Sequence, residues 1–331
     1  MGAMPVAKAI RIREPGGPEV LELGEIEIPS PGPTQVLVEV AAVGLNRADC
    51  LQRRGVYPAP PGVPSDVPGL EFAGVVEAVG ESVESWKRGD RVMGIVGGGA
   101  MATRLLTEAS ELMPIPRGMS ASDAGAVPEV FLTAYDAMIL QGGLTAGQTA
   151  LIHAVASGVG TAAIQLASVV GASSIGTSRT AHKLPRCTDL GLTHAVLVED
   201  GQFASTVKNA APNGVNVVLD TVGAAYLAQN VQVIAKQGRI IVIGLMGGVN
   251  GELPLGALLA KRGSIHGSVL RSRSTSEKAA LTKSFTGEML PKLESGELEP
   301  IVDEVLPMSE VQEAHRRMDA NETFGKLVLT W

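Results

Sequence analysis

A chain of 331 residues is too long for one small core, since a single core stops growing at roughly 250–300 residues, so two domains are expected. With 45% hydrophobic and only 18% charged residues, and 40 glycines, the composition excludes a disordered chain and suits an α/β protein with many crowded turns. A net charge of −7 excludes general affinity for nucleic acid or anionic membranes, because either needs concentrated Lys and Arg.

The amino terminus, MGAMPVAKAIRIREPGG, carries charges where a secretory signal needs an unbroken apolar run, so the expected compartment is the cytoplasm. Cys50 and Cys187 are the only cysteines, too few for a disulfide framework or a four-cysteine zinc lobe, and they suit a reducing environment. Through the first third, residues 7–13, 19–27, 35–43, 71–79 and 91–95 read as short strands punctuated by PGG, PSPGP, PPG and RGD, the spacing of a small barrel or sandwich. From about Thr133 the rhythm changes to strands at 149–154, 174–178, 195–198, 216–220 and 239–244 alternating with helices, the first from Gly158. This predicts a parallel sheet with helices on both faces. The most apolar stretch, 150–175, is broken by Gly158, Gly160 and Gly171 and does not read as a membrane span. After Gly267 come a basic segment, LRSRS, a helix over 277–292 and a closing helix–strand unit over 309–331.

In the run ALIHAVASGVGTAAIQLASVVG a strand, a tight turn and a helix follow directly, with Ala154, Ser157 and Gly160 at the spacing of a dinucleotide fingerprint. Small residues at Ala156, Ser157, Gly158 and Gly160, with Val159 between the last two, let backbone approach a pyrophosphate, and the helix start offers unpaired N–H groups; simple helix–sheet packing would use such residues too. An NAD site usually ends its second strand in Asp or Glu, but here that strand runs into SSIGTSRTAHK. Ser178, Arg179 and Lys183 instead offer hydroxyl and positive charge where a 2′-phosphate would sit, which points to NADPH.

The stretches VAAVGLNRADCLQRRGVYPAPPG, GLEFAGVVEAVG, VPEVFLTAYDAM, LIHAVASGVGTAAIQLA, VVLDTVG, IVIGLMGG, LLAKRGSIHGSVLRSR and VQEAHRRMDANETFGKLVL resemble the medium-chain dehydrogenases/reductases. Within that family they resemble the zinc-independent quinone oxidoreductase (zeta-crystallin-like) branch, especially the p53-inducible type. The resemblance implies a GroES-like, β-rich catalytic domain over 1–132, a Rossmann NADPH-binding domain over 133–270, and a return to the catalytic domain over 271–331. Where zinc-dependent relatives carry ligands, this chain has Asn46, Leu70 and, near the third position, Glu129–Val130, which do not make a tetrahedral N/S set. His153, His182, His194, His266 and His315 show no metal-ligand spacing and read as structural or surface residues, and Glu71 as a buried polar anchor.

Carried over position by position, the resemblance puts Asn46 and Tyr57 beside the nicotinamide and substrate, with Tyr57 as the hydrogen-bond donor to a forming oxyanion. It places Thr133, Thr221, Leu245, Met246, Leu270, Arg271, Ser272 and Lys326 along the cofactor, and Lys183 at its 2′-phosphate. Two departures stand out: Arg179 where relatives often have Gly, and Val198 where they have Tyr. The implied activity is metal-free transfer of reducing equivalents from NADPH to a small quinone or activated alkene by a homodimer. An enoyl reductase acting on unsaturated thioesters or ketones, and an NADPH-binding protein with little turnover, are the alternatives.

Overall fold

The computed structural model describes residues 6–331; residues 1–5, at the start of the charged amino terminus, lie outside the described residues. The chain divides into two compact units, one of residues 130–269 with 297–299, the other of residues up to 129 with 270–296 and 300–331.

The first of these is built on a six-stranded sheet in the order His194–Leu197, Ser173–Ser178, Thr149–Ile152, Val215–Asp220, Ile234–Val242, Ser264–Gly267. All its pairings are parallel. Buried Leu151, Ile175, Val196, Val218 and Ile240 share one core cluster, as strands covered by helices require. The chain begins in the middle, runs outward to one edge, then returns to build the other half. This is the Rossmann order, with its crevice where the direction reverses, beside Thr149–Ile152 and Val215–Asp220.

The other unit centres on strand Gln35–Gly44, which pairs antiparallel with Glu71–Val79, Arg104–Glu108 and Lys326–Thr330. Arg91–Ile95 and Leu112–Pro114 extend the sheet on one side and Val302–Pro307, parallel to Lys326–Thr330, on the other. Val36, Val38, Val43, Leu45, Phe72, Val92, Leu327 and Leu329 form its core. The fold is thus α/β, a GroES-like domain together with a Rossmann sheet.

Several expected boundaries move for local reasons. The strand expected over 149–154 ends at Ile152 because the chain is already turning, with Ala154 in the left-handed region at φ 50°. Residues 18–20 form a 3-10 turn with Pro18 at its start, and the strand begins only at Leu21. The single helix expected over 277–292 is two, Thr275–Glu288 and Leu290–Ser295, because Pro291 has no N–H to continue the first and instead sits in the opening turn of the second. Strands Arg104–Glu108, Leu112–Pro114 and Val302–Pro307 were not expected.

Candidate active site

In the Rossmann unit the parallel strands bring their carboxyl ends to one edge of the sheet. There the turns after Ile152, Ser178, Asp220 and Val242 gather, carrying Ser157–Gly160, Ser178–Lys183, Thr221 and Leu245–Met246. The first turn is tight because Gly160 has no side chain: a Cβ there would stand 2.4 Å from the Val155 carbonyl oxygen and 2.7 Å from that of Ala154. Ser157 caps helix Gly158–Val169, its hydroxyl accepting the Gly160 N–H at 3.1 Å, and the first turn of that helix holds no acid. Among the described residues the buried Thr221 hydroxyl oxygen has no hydrogen-bond partner, and the Met246 N–H donates to the Thr221 carbonyl.

A buried polar chain ties these turns together. Asp220 accepts the N–H groups of Val222 and Gly223 at 2.7 and 2.9 Å, and its other oxygen accepts the Asn230 amide at 3.0 Å. That leaves the Asn230 oxygen as acceptor, so the His153 Nε2 facing it at 2.7 Å carries the proton. Burial lowers the pKa of His153 and keeps it neutral, so its Nδ1 accepts from the Thr177 hydroxyl at 2.8 Å. His153 is therefore a structural link, whereas His182, His194 and His266 are exposed.

Beside the missing acid, Ser178 and Lys183 are buried and Arg179 is exposed. The Ser178 hydroxyl bonds to the backbone of Thr180. Val198 is buried, and its backbone N–H donates to the Ser178 carbonyl at 2.8 Å.

The GroES-like unit holds a second constellation. Glu71, fully buried at the start of its strand, meets the Lys326 ammonium at 2.6 Å and the Asn46 amide at 2.9 Å. Its other oxygen accepts the backbone N–H of Glu129 at 2.9 Å. Gly44 makes room for it, since a Cβ there would stand 2.4 Å from Glu71 Oε1. Lys326 also donates to the Leu45 carbonyl and to the Asn46 side-chain oxygen, both at 2.7 Å, so its three protons are all engaged. Asp49 accepts the N–H groups of Asn46 and Gly69, and burial raises its carboxyl to about 6.

Tyr57 is held from the side. The Arg271 guanidinium donates to the Gly97 carbonyl at 2.7 Å, the Tyr57 carbonyl at 2.9 Å and the Gln52 side chain, and lies 4.9 Å from the centre of the Tyr57 ring. Burial pushes the Tyr57 phenol up, so it stays protonated at neutral pH. The expected residues thus fall into two groups. Asn46, Tyr57, Leu270, Arg271, Ser272 and Lys326 belong to this unit, with Ser272 exposed, and the turn residues to the other, as does Thr133 in helix Pro128–Tyr135. Lys326 and Arg271, expected along the cofactor, also hold groups of the protein: the three protons of Lys326 go to Glu71, Asn46 and Leu45, and three of the five N–H donors of Arg271 go to Gly97, Tyr57 and Gln52. Glu129 was noticed only as the occupant of a ligand position. Its signal, shared with Glu71, is an acid embedded between apolar neighbours, Val127 and Val130 for one, Leu70 and Phe72 for the other.

Residues 32–117 match the alcohol dehydrogenase GroES-like domain, and residues 158–284 match the zinc-binding dehydrogenase family. A quinone oxidoreductase of Lama guanicoe is 32% identical over 97% of both chains, and that of Homo sapiens 30% identical over 97% of both. The chain belongs to the medium-chain dehydrogenase/reductase family.

Among solved structures of this family, a quinone oxidoreductase of Pseudomonas syringae pv. Tomato DC3000 superposes with a TM-score of 0.88 at 30% identity, covering 98% of this chain and all of that one. The CurK enoyl reductase gives 0.86 at 28% identity, covering 98% and 99%. A structure described as an NAD-dependent alcohol dehydrogenase gives 0.87 at 32%, with the same coverage. Medium-chain dehydrogenases/reductases work with a nicotinamide dinucleotide. The residues here fit one: a bare-backbone turn, an acid-free helix start and an unsatisfied Thr221 hydroxyl stand together. At the positions of the zinc ligands in metal-dependent members, Asn46 is bonded to Glu71 and Lys326 and Leu70 is buried and apolar. Among the described residues no group of three His, Cys, Asp or Glu side chains is placed to hold a metal ion.

Proposed function

We propose that this oxidoreductase transfers reducing equivalents from NADPH to quinones without a metal. The observation that carries the cofactor choice is the strand Ser173–Ser178, which leads into Ser178, Arg179 and Lys183 with no carboxylate to repel a 2′-phosphate. When bound, NADPH supplies the hydride, and a quinone, already electron-poor, accepts it with positioning and no Lewis acid. In this reading Ser157–Gly160 and Thr221 hold the dinucleotide. Tyr57, clamped by Arg271, donates a hydrogen bond to the acceptor oxygen as charge develops there. The quinone oxidoreductases of similar length and about 30% identity support this, as does the motif resemblance to the p53-inducible type.

A second reading, reduction of α,β-unsaturated thioesters or ketones, is supported by the likeness to the CurK enoyl reductase. An acceptor panel separates them: purified chain with NADPH is offered phenanthrenequinone, naphthoquinone, enones and enoyl thioesters, and NADPH absorbance is followed. Turnover of quinones is expected. Turnover of enoyl thioesters alone would replace the first reading with the second, and tight NADPH binding without consumption would make the chain a binding protein.

The same proposal includes a homodimer in the cytoplasm. Exposed Leu245, Met246, Val249, Leu255, Leu259 and Val269 lie in the segments that precede and follow the edge strand Ser264–Gly267, whose free edge a second copy could pair. Cys50 and Cys187 are both unbridged and buried, as suits a reducing compartment. Light scattering on the purified chain tests the dimer; a monomer at micromolar concentration would refute it.

A further inference from the structure

The reduction proposed above needs a proton as well as a hydride, and the Tyr57 phenol, protonated but weakly acidic, is a poor sole source. Glu129 stands in the first turn of helix Pro128–Tyr135, its backbone fastened to Glu71. Around its carboxyl are Glu71 and Asp49, the cations Lys326 and Arg271, and Tyr57. Both cations already direct all their short contacts elsewhere, Lys326 to Leu45, Asn46 and Glu71, Arg271 to Gln52, Tyr57 and Gly97. Among the described residues, the Glu129 carboxyl itself makes no hydrogen bond and no ion pair, although it is half-buried. Every other acid of this cluster is held by donors.

We propose that Glu129 is a catalytic acid of this site, giving its proton to the substrate of the reduction. The reasoning rests on the reductase reading above. Burial, and then the negative charge of Glu71, push this carboxyl up to about 8, so at neutral pH it carries a proton that no protein acceptor claims. With an activated alkene, hydride adds to the β-carbon and the electron pair of the C=C bond passes to the α-carbon and its carbonyl oxygen. The Glu129 O–H bond then breaks, its proton closes the new C–H bond or the enol O–H, and water reprotonates the carboxylate. With a quinone the same proton goes to the reduced oxygen. In either case the dinucleotide is oxidised by two electrons, the acceptor gains one hydride and one proton, and the charges balance. Tyr57 orients the oxygen, and Glu129 delivers the proton.

The test pairs a measurement on the free protein with one on turnover. Carboxyl titration by 13C NMR of glutamate-labelled protein should reveal one resonance titrating near 8 that disappears in Glu129→Gln. In turnover with the acceptor the panel selects, Glu129→Gln should lower kcat by about 10²-fold, as loss of a general acid does, and remove the alkaline fall of kcat above pH 8. NADPH affinity, by fluorescence titration, should stay within threefold. Glu129→Asp should restore part of kcat. A wild-type rate and pH profile in Glu129→Gln, or a Glu129 resonance titrating below 6, would overturn the assignment while leaving the reductase reading intact. No NADPH consumption by the wild-type chain with any acceptor would overturn both.

Discussion

Lys326→Met is the sharpest probe of the GroES-like unit. The substitution keeps the length of the side chain but removes an ammonium whose three protons go to Glu71 at 2.6 Å and to Asn46 and Leu45 at 2.7 Å each. Glu71 is fully buried, so water does not replace the lost partner. Removing one member of a buried ion pair costs about 3–5 kcal/mol. Two further acceptors are orphaned, which favours the upper half of that range. At about 2–4 °C per kcal/mol for a domain of this size, the unit should melt about 8–20 °C lower. Trp86 and Trp331, the only tryptophans, both belong to this unit, so their fluorescence reports its unfolding. Glu71→Gln should also destabilise, and the double variant should recover at least about 1 kcal/mol against the sum of the singles, because the charge left alone by Lys326→Met is then gone. NADPH affinity of the folded variant should change less than threefold, since no Lys326 proton is left over for a phosphate. A melting shift under 2 °C, or strict additivity, would refute the ion pair as the centre of this unit.

Lys183→Ala should weaken NADPH at least tenfold while leaving NADH within threefold, and equal losses would remove the 2′-phosphate argument. In Gly160→Ala the new Cβ meets carbonyl backbone at 2.4 Å and has no flexible side chain to displace. We expect a cost of about 1–3 kcal/mol and loss of dinucleotide binding, checked by thermal melting and by NADPH fluorescence. His315 is buried with Nδ1 accepting from Arg53 at 3.0 Å, and burial with the nearby Arg53 charge lowers its pKa from 6.5 to about 3. The native state therefore refuses a proton that the unfolded chain takes up. Stability contributed by His315 is complete above pH 6.5 and lost toward pH 3, by up to about 1.4 kcal/mol per pH unit. Glu129 acts in the opposite sense: its raised carboxyl favours the folded state at low pH, and that contribution fades as pH rises from 4.5 to 8. The pH 7 minus pH 5 difference in urea midpoint should thus fall in His315→Gln and rise in Glu129→Gln, relative to wild type.

The Rossmann unit was readable because its information is local. Strand, turn and helix at 149–169 follow within twenty-odd residues, and the missing acid after Ser178 is a single position. The polar cluster was not readable, although each member was in view. Asn46 and Lys326 are separated by 280 residues, and Glu71 and Glu129 by 58, so only the strand order reveals that one ammonium satisfies the others. The resemblance placed Lys326 and Arg271 along the cofactor through the segments FGKLVL and LRSR. Their buried protein acceptors, the Leu45 and Gly97 carbonyls among them, leave no mark in the amino-acid pattern. The broken helix at Pro291 was legible and simply missed.

The discontinuity of the GroES-like unit bears on how the chain matures. As it emerges from a ribosome, residues 130–269 can close into their own compact unit while Glu71 still waits for the strand Lys326–Thr330. An unpaired acid is an unwelcome guest in a core, and the Ala42–Gly44 end of strand Gln35–Gly44, beyond its pairing with Arg104–Glu108, has no settled neighbour on that side until the downstream segment docks. The half of the molecule synthesised first is thus the half completed last, and a nascent chain stalled before residue 326 would present an open sheet edge to chaperones and proteases while its nucleotide fold was already formed.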